Sequence, residues 1–316
     1  MHPALSVIFF TSASGIGYGL AAMLGLSAAF FVLPDNVVFC VTALVLSYGF
    51  VTAGLLSSTL HLGHPERAWR ALSQWRTSWL SREGVTAMMS YIPAGLFGLI
   101  WFASGDSREP ALALLGVLMA VIAVITVYCT AMIYASLATV HQWHNAWVVP
   151  NYLLLSIFSG TLWLYVLLQA WGNPALPQAG IAIVSGVLAM GAKIFYWRFI
   201  DTSSSPSTPE SATGLGHLGQ VRIFEAPHTE SNYLMKEMGF RIARMHATSL
   251  RAIALTLSFA VPFSFVGASM LVSGIRGTIA ALIAAIFASV GIFVERWLFF
   301  AEAKHTVTLY YGARVA

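Results

Sequence analysis

Charge is what this sequence has least of. Of 316 residues, 9% are Asp, Glu, Lys or Arg while 58% are apolar, and no soluble domain hides that much apolar surface. Cysteine is scarce as well. Cys40 and Cys129 are the two, both inside apolar runs; they are too few to ligate an iron–sulfur cluster within this chain and say nothing of the redox compartment. No basic region precedes the first apolar run, and that run is too long for the core of a signal peptide, so it is expected to be a retained helix. Internal repeats are missing, as are Pro/Gly-broken mid-membrane helices in matching positions, which argues against a small-molecule transporter. The formal net charge of +4 could suggest nucleic acid, but in an integral membrane protein basic residues report orientation, so no nucleic-acid partner is expected.

What is present is eight long apolar segments, near 5–33, 36–60, 84–104, 110–138, 148–171, 178–200, 246–273 and 279–309. Each is long enough as a helix to cross a hydrocarbon core of ~30 Å, and none shows the alternation of a membrane barrel. The expected fold is all-α: a polytopic membrane protein of eight transmembrane helices forming one membrane domain over 1–316. Pro34-Asp35, Gly105-Asp106-Ser107, Gly172-Asn173-Pro174, and Gly274 with Gly277 punctuate the runs. Gly15, Gly17 and Gly19 give the first helix a small-residue face suited to close packing. The connection 201–245 opens with DTSSSPSTPESAT, expected to be a mobile loop, and continues with enough aromatic and apolar residues to dock onto a partner.

Eight crossings put both termini and the second, fourth and sixth connections on one side. Of the sixteen Lys and Arg, that side takes all but Arg108 and Arg276 opposite, with Lys193 and Arg296 inside helices. The positive-inside rule then places both termini and the 201–245 connection in the cytoplasm.

The densest chemistry lies between the second and third helices, in His61–Glu83. His61, His64, Arg67 and Glu83 bring ionisable groups to a membrane edge, where they are functional candidates by default. Quinone chemistry moves two electrons and two protons. A histidine titrates in the right range to serve a quinone oxygen, a carboxylate can relay the proton, arginine can hold an anionic intermediate or orient the carboxylate, and tryptophans can wall a flat ring. Physics alone fits a second reading equally: an interfacial amphipathic segment, with arginines on lipid phosphates and Trp69, Trp75 and Trp79 in an aromatic belt. Tyr134, and His141 of the His141-Gln-Trp-His144 run, fall on the same side and are expected to line the same pocket. Haem would need axial histidines on facing helices, and no such mid-membrane pair is evident, so neither haem nor metal is expected in this chain. Glu295 and Arg296, deep in the last segment, read as an internal ion pair; Glu302 is a weaker candidate for a proton path. Gly214-Leu-Gly216-His-Leu-Gly219 has the spacing of a dinucleotide fingerprint but follows a Ser/Pro-rich loop, where that motif needs a strand.

The run Leu60-His61-Leu62-Gly63 with Pro65 and Arg67-Ala68, followed by Leu80-Ser81-Arg82-Glu83, resembles the membrane anchor subunits of the dimethyl sulfoxide reductase family. In that family H-L-G-x-P-x-R-A closes the second helix and L-S-x-E opens the third. The layout is similar over all eight helices, while the specific motif is confined to residues 60–83. The resemblance implies a quinone site (ubiquinone or menaquinone) carried by His61, Arg67 and Glu83. It also implies partners: a four-cluster iron–sulfur subunit and a molybdopterin catalytic subunit. His64 and Glu66 are additional ionisable residues within the motif. The long sixth connection, ending PHTESNYLMKEMGF then RIARMHA, resembles the anchors of cytoplasmic sulfite dehydrogenases, which deliver electrons from sulfite to the quinone pool. That matches the charge-derived orientation and implies an anchor in a bacterial inner membrane. The alternatives are the same anchor oxidising quinol to reduce an S- or N-oxide and, from other classes, a haem-bearing cytochrome b-type anchor or a transporter.

Overall fold

The computed structural model describes residues 4–60, 62–173, 176–225, 230, 232 and 245–314. Among them are eight helices long and apolar enough to cross a membrane: α1 Leu5–Phe30, α2 Val37–Thr59, α3 Trp79–Ser104, α4 Pro110–Ala135, α5 Val148–Ala170, α6 Leu176–Thr202, α7 Ala247–Leu271 and α8 Ile275–Ala301. No strand occurs among the described residues. The chain is an all-α, multi-pass membrane protein.

The most buried helix, α1, sits at the centre, packed against α2, α4 and α5. Its small residues explain the position. A Cβ on Gly17 would meet Ser47 and Val51 of α2, one on Gly19 would overlap the Ser156 backbone of α5, and Gly25 faces Gly116 of α4 backbone to backbone. Two hydroxyls tie these contacts: Ser47 donates to the Gly17 carbonyl at 2.8 Å and Ser156 to the Gly15 carbonyl at 2.6 Å. Lipid supplies no hydrophobic force between helices, so close backbone approach and such hydrogen bonds hold the bundle together.

Some boundaries differ from the sequence reading. Helix α3 starts at Trp79, not 84, because the Ser78 side chain caps it and the Leu80–Glu83 motif forms its first turn. Helix α4 stops at Ala135 and α8 at Ala301. Beyond α8 the backbone bonds to the 136–147 connection instead of to itself: Lys304 N–H donates to Gln142 Oε1 (3.1 Å) and Thr306 N–H to the Thr139 carbonyl (3.0 Å). A 3₁₀ helix, Thr306–Tyr311, follows.

The Ser/Pro-rich opening of 201–245 was expected to be mobile. Instead α6 runs on to Thr202, and Pro209–Thr213 forms a helical turn with a Thr208/Ser211 capping box. Tyr310 of the last 3₁₀ helix donates to the Ala212 carbonyl at 2.7 Å. Much of the expected docking stretch, 226–229, 231 and 233–244, lies outside the described residues. The GLGHLG run folds as a loop around a 3₁₀ turn, Gly216–Leu218, with Gly214 and Gly219 at positive φ; with no strand before it, it is not a dinucleotide fold.

One end of the bundle therefore gathers the 62–78 segment, the 136–147 connection, the described part of 203–246 and the 302–314 tail. At the opposite end Asp35 accepts hydrogen bonds from the Ser107 N–H (2.8 Å) and hydroxyl, and these hold the Asp35 carboxyl below its usual range.

Candidate functional site

At the gathered end the 62–78 segment folds down over the helices. Pro65–Gln74 is a 3₁₀ helix, locked to the start of α3 by Arg82, whose guanidinium donates to the Trp75 carbonyl (3.0 Å) and the Arg76 carbonyl (2.7 Å) and lies 4.2 Å from the Trp79 ring centroid. Its inner residues Ala68, Ala71 and Leu72 close a cavity, while Trp69 and Trp75 face outward. Gly84 permits this closure, since a Cβ there would come within 2.6 Å of Leu72 Cδ2. The amphipathic interfacial reading and the pocket reading thus describe two faces of one segment.

The cavity holds about 530 Å³, within the ~300–1,000 Å³ of small-molecule sites. Residues of α1, α2 and α4 (Phe10, Leu55, Ile133) make its wall apolar, and Ser58, Thr59, His64, Arg67, Glu83 and Tyr134 supply polar atoms. Glu83 is 4% exposed, and its Oε1 accepts a hydrogen bond from the Thr130 hydroxyl of α4. A buried carboxylate needs such a partner. Tyr134, one turn further along α4, is buried among the rings of Trp143, Tyr152, Phe299 and Phe300.

His64 and Arg67 stand at the exposed mouth, both directed at Glu66: His64 Nδ1 is 3.1 Å and Arg67 Nε 3.7 Å from its Oε1. Arg67, expected either to orient the carboxylate or to hold an anionic intermediate, has its ion pair with its chain neighbour Glu66, while Thr130 hydrogen-bonds Glu83. His61 lies outside the described residues; Thr59 and Leu62, on either side of it in the chain, both line the cavity. His141 is at the same end but not among the described lining residues. Its Nε2 is 2.8 Å from the Ser203 hydroxyl, next to Phe199, and burial together with nearby His144 lowers its pKa. Among the described residues no group of three or more His, Cys, Asp or Glu is placed to hold a metal ion.

The residues 1–312 match the family of DMSO reductase anchor subunits (DmsC). The chain belongs to this family. It is 32% identical over 326 residues to the C subunit of the sulfite dehydrogenase of Allochromatium vinosum, covering 98% of this chain and 99% of that one. It is 30% identical over 145 residues to the C polypeptide of the anaerobic dimethyl sulfoxide reductase of Escherichia coli K12, covering 43% of this chain and 50% of that one.

Two groups within this anchor-family fold escaped the sequence reading. Thr130 was not singled out, although Thr126, Thr130 and Tyr134 repeat every four residues along one face of α4. Lys193, set aside as a helix-internal charge, forms a buried ion pair with Glu295, and Arg296 Nε lies 3.5 Å from the other Glu295 oxygen. The signal was available: a lone cation in one apolar helix calls for an anion in another. At the membrane edge Arg251 joins Asp201 (2.6 Å) to Glu302 (2.8 Å).

Proposed function

We propose that this chain is the quinone-reactive anchor of a molybdenum and iron–sulfur oxidoreductase, passing electrons from sulfite oxidation to the quinone pool. The observation that supports it best is the apolar cavity at the gathered end, with a buried carboxylate at its inner wall and basic residues at its mouth. A quinone takes two electrons and two protons there and leaves as quinol. His61 would bind one quinone oxygen and supply its proton, as the family motif implies. Glu83, oriented by Thr130, would pass on protons from the interior. Arg67 and His64 bring N–H donors to the entrance beside Glu66, and the apolar wall accepts the ring and tail.

The same reading places both termini and the 201–245 connection in the cytoplasm of a bacterium, with an iron–sulfur subunit docked on 214–245 and a molybdopterin subunit behind it. It is supported by the distribution of basic residues and by the similarity, along both full lengths, to the sulfite dehydrogenase polypeptide. A second direction, quinol oxidation driving S-oxide reduction, draws on the partial similarity to the dimethyl sulfoxide reductase polypeptide.

The test is a sulfite-to-quinone assay on the purified complex, with metal and haem analysis. His61→Ala should abolish quinone-linked turnover and leave dye-linked sulfite oxidation intact. Unchanged quinone reduction in that variant would remove His61 from the mechanism.

A further inference from the structure

Along α2, Leu44, Tyr48, Thr52, Leu55 and Thr59 recur at three- and four-residue spacing and so share one face. That face meets α3, and the meeting changes in kind with depth. Far from the gathered end a Cβ on Gly98 of α3 would come within 2.9 Å of Leu44 Cδ1. Nearer to it the Tyr48 hydroxyl donates to the Ser90 carbonyl at 2.8 Å, and the Tyr48 and Tyr91 ring centroids lie 4.9 Å apart. The Thr52 hydroxyl donates to the Tyr48 carbonyl (2.6 Å) and accepts from the Tyr91 hydroxyl (2.7 Å). Beyond Thr52 the pattern changes: Leu55 and Thr59 of α2, and Leu80 and Gly84 of α3, line the cavity of about 530 Å³.

At the level of the cavity each helix is tied to a different neighbour. Helix α2 leans on α1: a Cβ on Gly54 would lie 3.0 Å from the Ser14 nitrogen, and Ser57 donates to the Ser6 carbonyl at 3.0 Å. Helix α3 leans on α4, where Thr130 donates to Glu83 and the Trp79 ring sits edge-on to Tyr128 at 5.8 Å. Overall α3 packs mainly on α4 and only lightly on α2. Among the described residues no hydrogen bond or ring contact joins α2 to α3 between Thr52 and the gathered end. The two helices are thus joined deep in the bundle and parted above, and the 62–78 segment covers the parting from the gathered end. Leu56 of α2 and Met88 of α3, 63% and 62% exposed, stand at its outer rim.

We propose that this α2–α3 seam is a lateral portal through which a tailed quinone passes between lipid and cavity, with the Thr52–Tyr91 hydrogen bond as its floor. The inference rests on the quinone-reducing role above. A quinone with an isoprenoid tail is dissolved in hydrocarbon, and its ring has to reach Glu83 without its tail being drawn into water, where every methylene would be exposed. The mouth at His64, Glu66 and Arg67 is charged and gives a tail no shelter. The seam does: the ring enters between Leu55 and Gly84, and the tail stays between Leu56 and Met88 in the bilayer. At the floor the Thr52 and Tyr91 hydroxyls satisfy each other and the Tyr48 carbonyl, so no unpaired donor faces the hydrocarbon.

The test uses the intact complex in lipid nanodiscs. Wild type is irradiated with a quinone bearing an azide at the end of its isoprenoid tail, with and without excess unlabelled tailed quinone, and the labelled peptides are mapped. Label removed by the competitor should fall on α2 and α3 around Leu56 and Met88. Sulfite-driven turnover is then measured with a tailed and a tailless quinone. Leu56→Trp and Met88→Trp narrow the rim and should raise KM for the tailed quinone about tenfold, ~1.4 kcal/mol, and for the tailless one much less. Val184→Trp, on an exposed stretch of α6, is the control and should change neither. If a rim variant does not assemble, the wild-type label decides. Competed label confined to other helices overturns the portal and leaves the quinone-reducing role standing. So does an unchanged KM for the tailed quinone in both rim variants, or an equal rise for both quinones. Wild-type complex that reduces neither quinone overturns the function proposed above and the portal with it.

Discussion

Thr130 on α4 hydrogen-bonds the carboxylate of Glu83 on α3, fixing at the inner wall of the cavity the one acidic side chain that faces it from a membrane helix among the described residues. The contact joins two helices. Glu83→Gln keeps the shape and removes proton exchange, so quinone-linked turnover should fall by about 10². Thr130→Val keeps the volume and removes one hydrogen bond of about 0.5–1.5 kcal/mol, so its loss should be smaller, near fivefold. Dye-linked activity of the catalytic subunit, measured beside both, should not change; Thr130→Val falling further than Glu83→Gln would reverse the assigned roles.

Lys193 and Glu295 form their ion pair in the bundle interior, 1% and 3% exposed. Removing one partner strands a buried charge and costs about 3–5 kcal/mol, whereas replacing both with groups of similar volume is often near neutral. Lys193→Met alone and Glu295→Gln alone should each lower the melting temperature of the detergent-solubilised protein sharply. The double variant still leaves the buried Arg296 without the Glu295 carboxylate, so it should not return to wild type but should lose less than the sum of the two single losses; additive losses would mean the two do not act as a pair.

Gly160 lies against Gly19 so closely that a Cβ would fall on the Gly19 backbone. Gly160→Ala should push α5 off α1 and cost about 1–3 kcal/mol as overpacking. Gly180→Ala, where a Cβ meets nothing within 4 Å, is the control and should leave the melt unchanged.

His141 lies outside the membrane span, and its pKa is lowered by burial and by His144. Below the ordinary value near 6.5 the unfolded chain binds this proton more readily than the folded one. Stability therefore rises with pH across the window between the folded pKa and 6.5, and is lost as pH falls through it. A melting series from pH 7.5 down to pH 5 should show this decline in wild type and a shallower one in His141→Gln. Parallel curves would mean that another group sets the acid limit.

The eight crossings, the all-α class and the placement of the 60–83 motif at a membrane edge were legible in the chain alone. Run length and the near-absence of charge leave an apolar helix few other places to be, and Pro and Gly mark where each run stops. Tertiary structure decided which polar groups meet. The sequence shows Glu83, Thr130, Lys193, Glu295 and Arg296 on four different helices, but not how those helices rotate about their axes. That rotation is set by where small residues let backbones touch, as at Gly19 with Gly160 and Gly25 with Gly116. Long-range pairing also explains the misread helix ends: α8 stops at Ala301 because Lys304 and Thr306 find hydrogen-bond partners in the 136–147 connection. Local apolarity determined the membrane spans; the closeness of the backbones determined which charges, buried between them, could find each other.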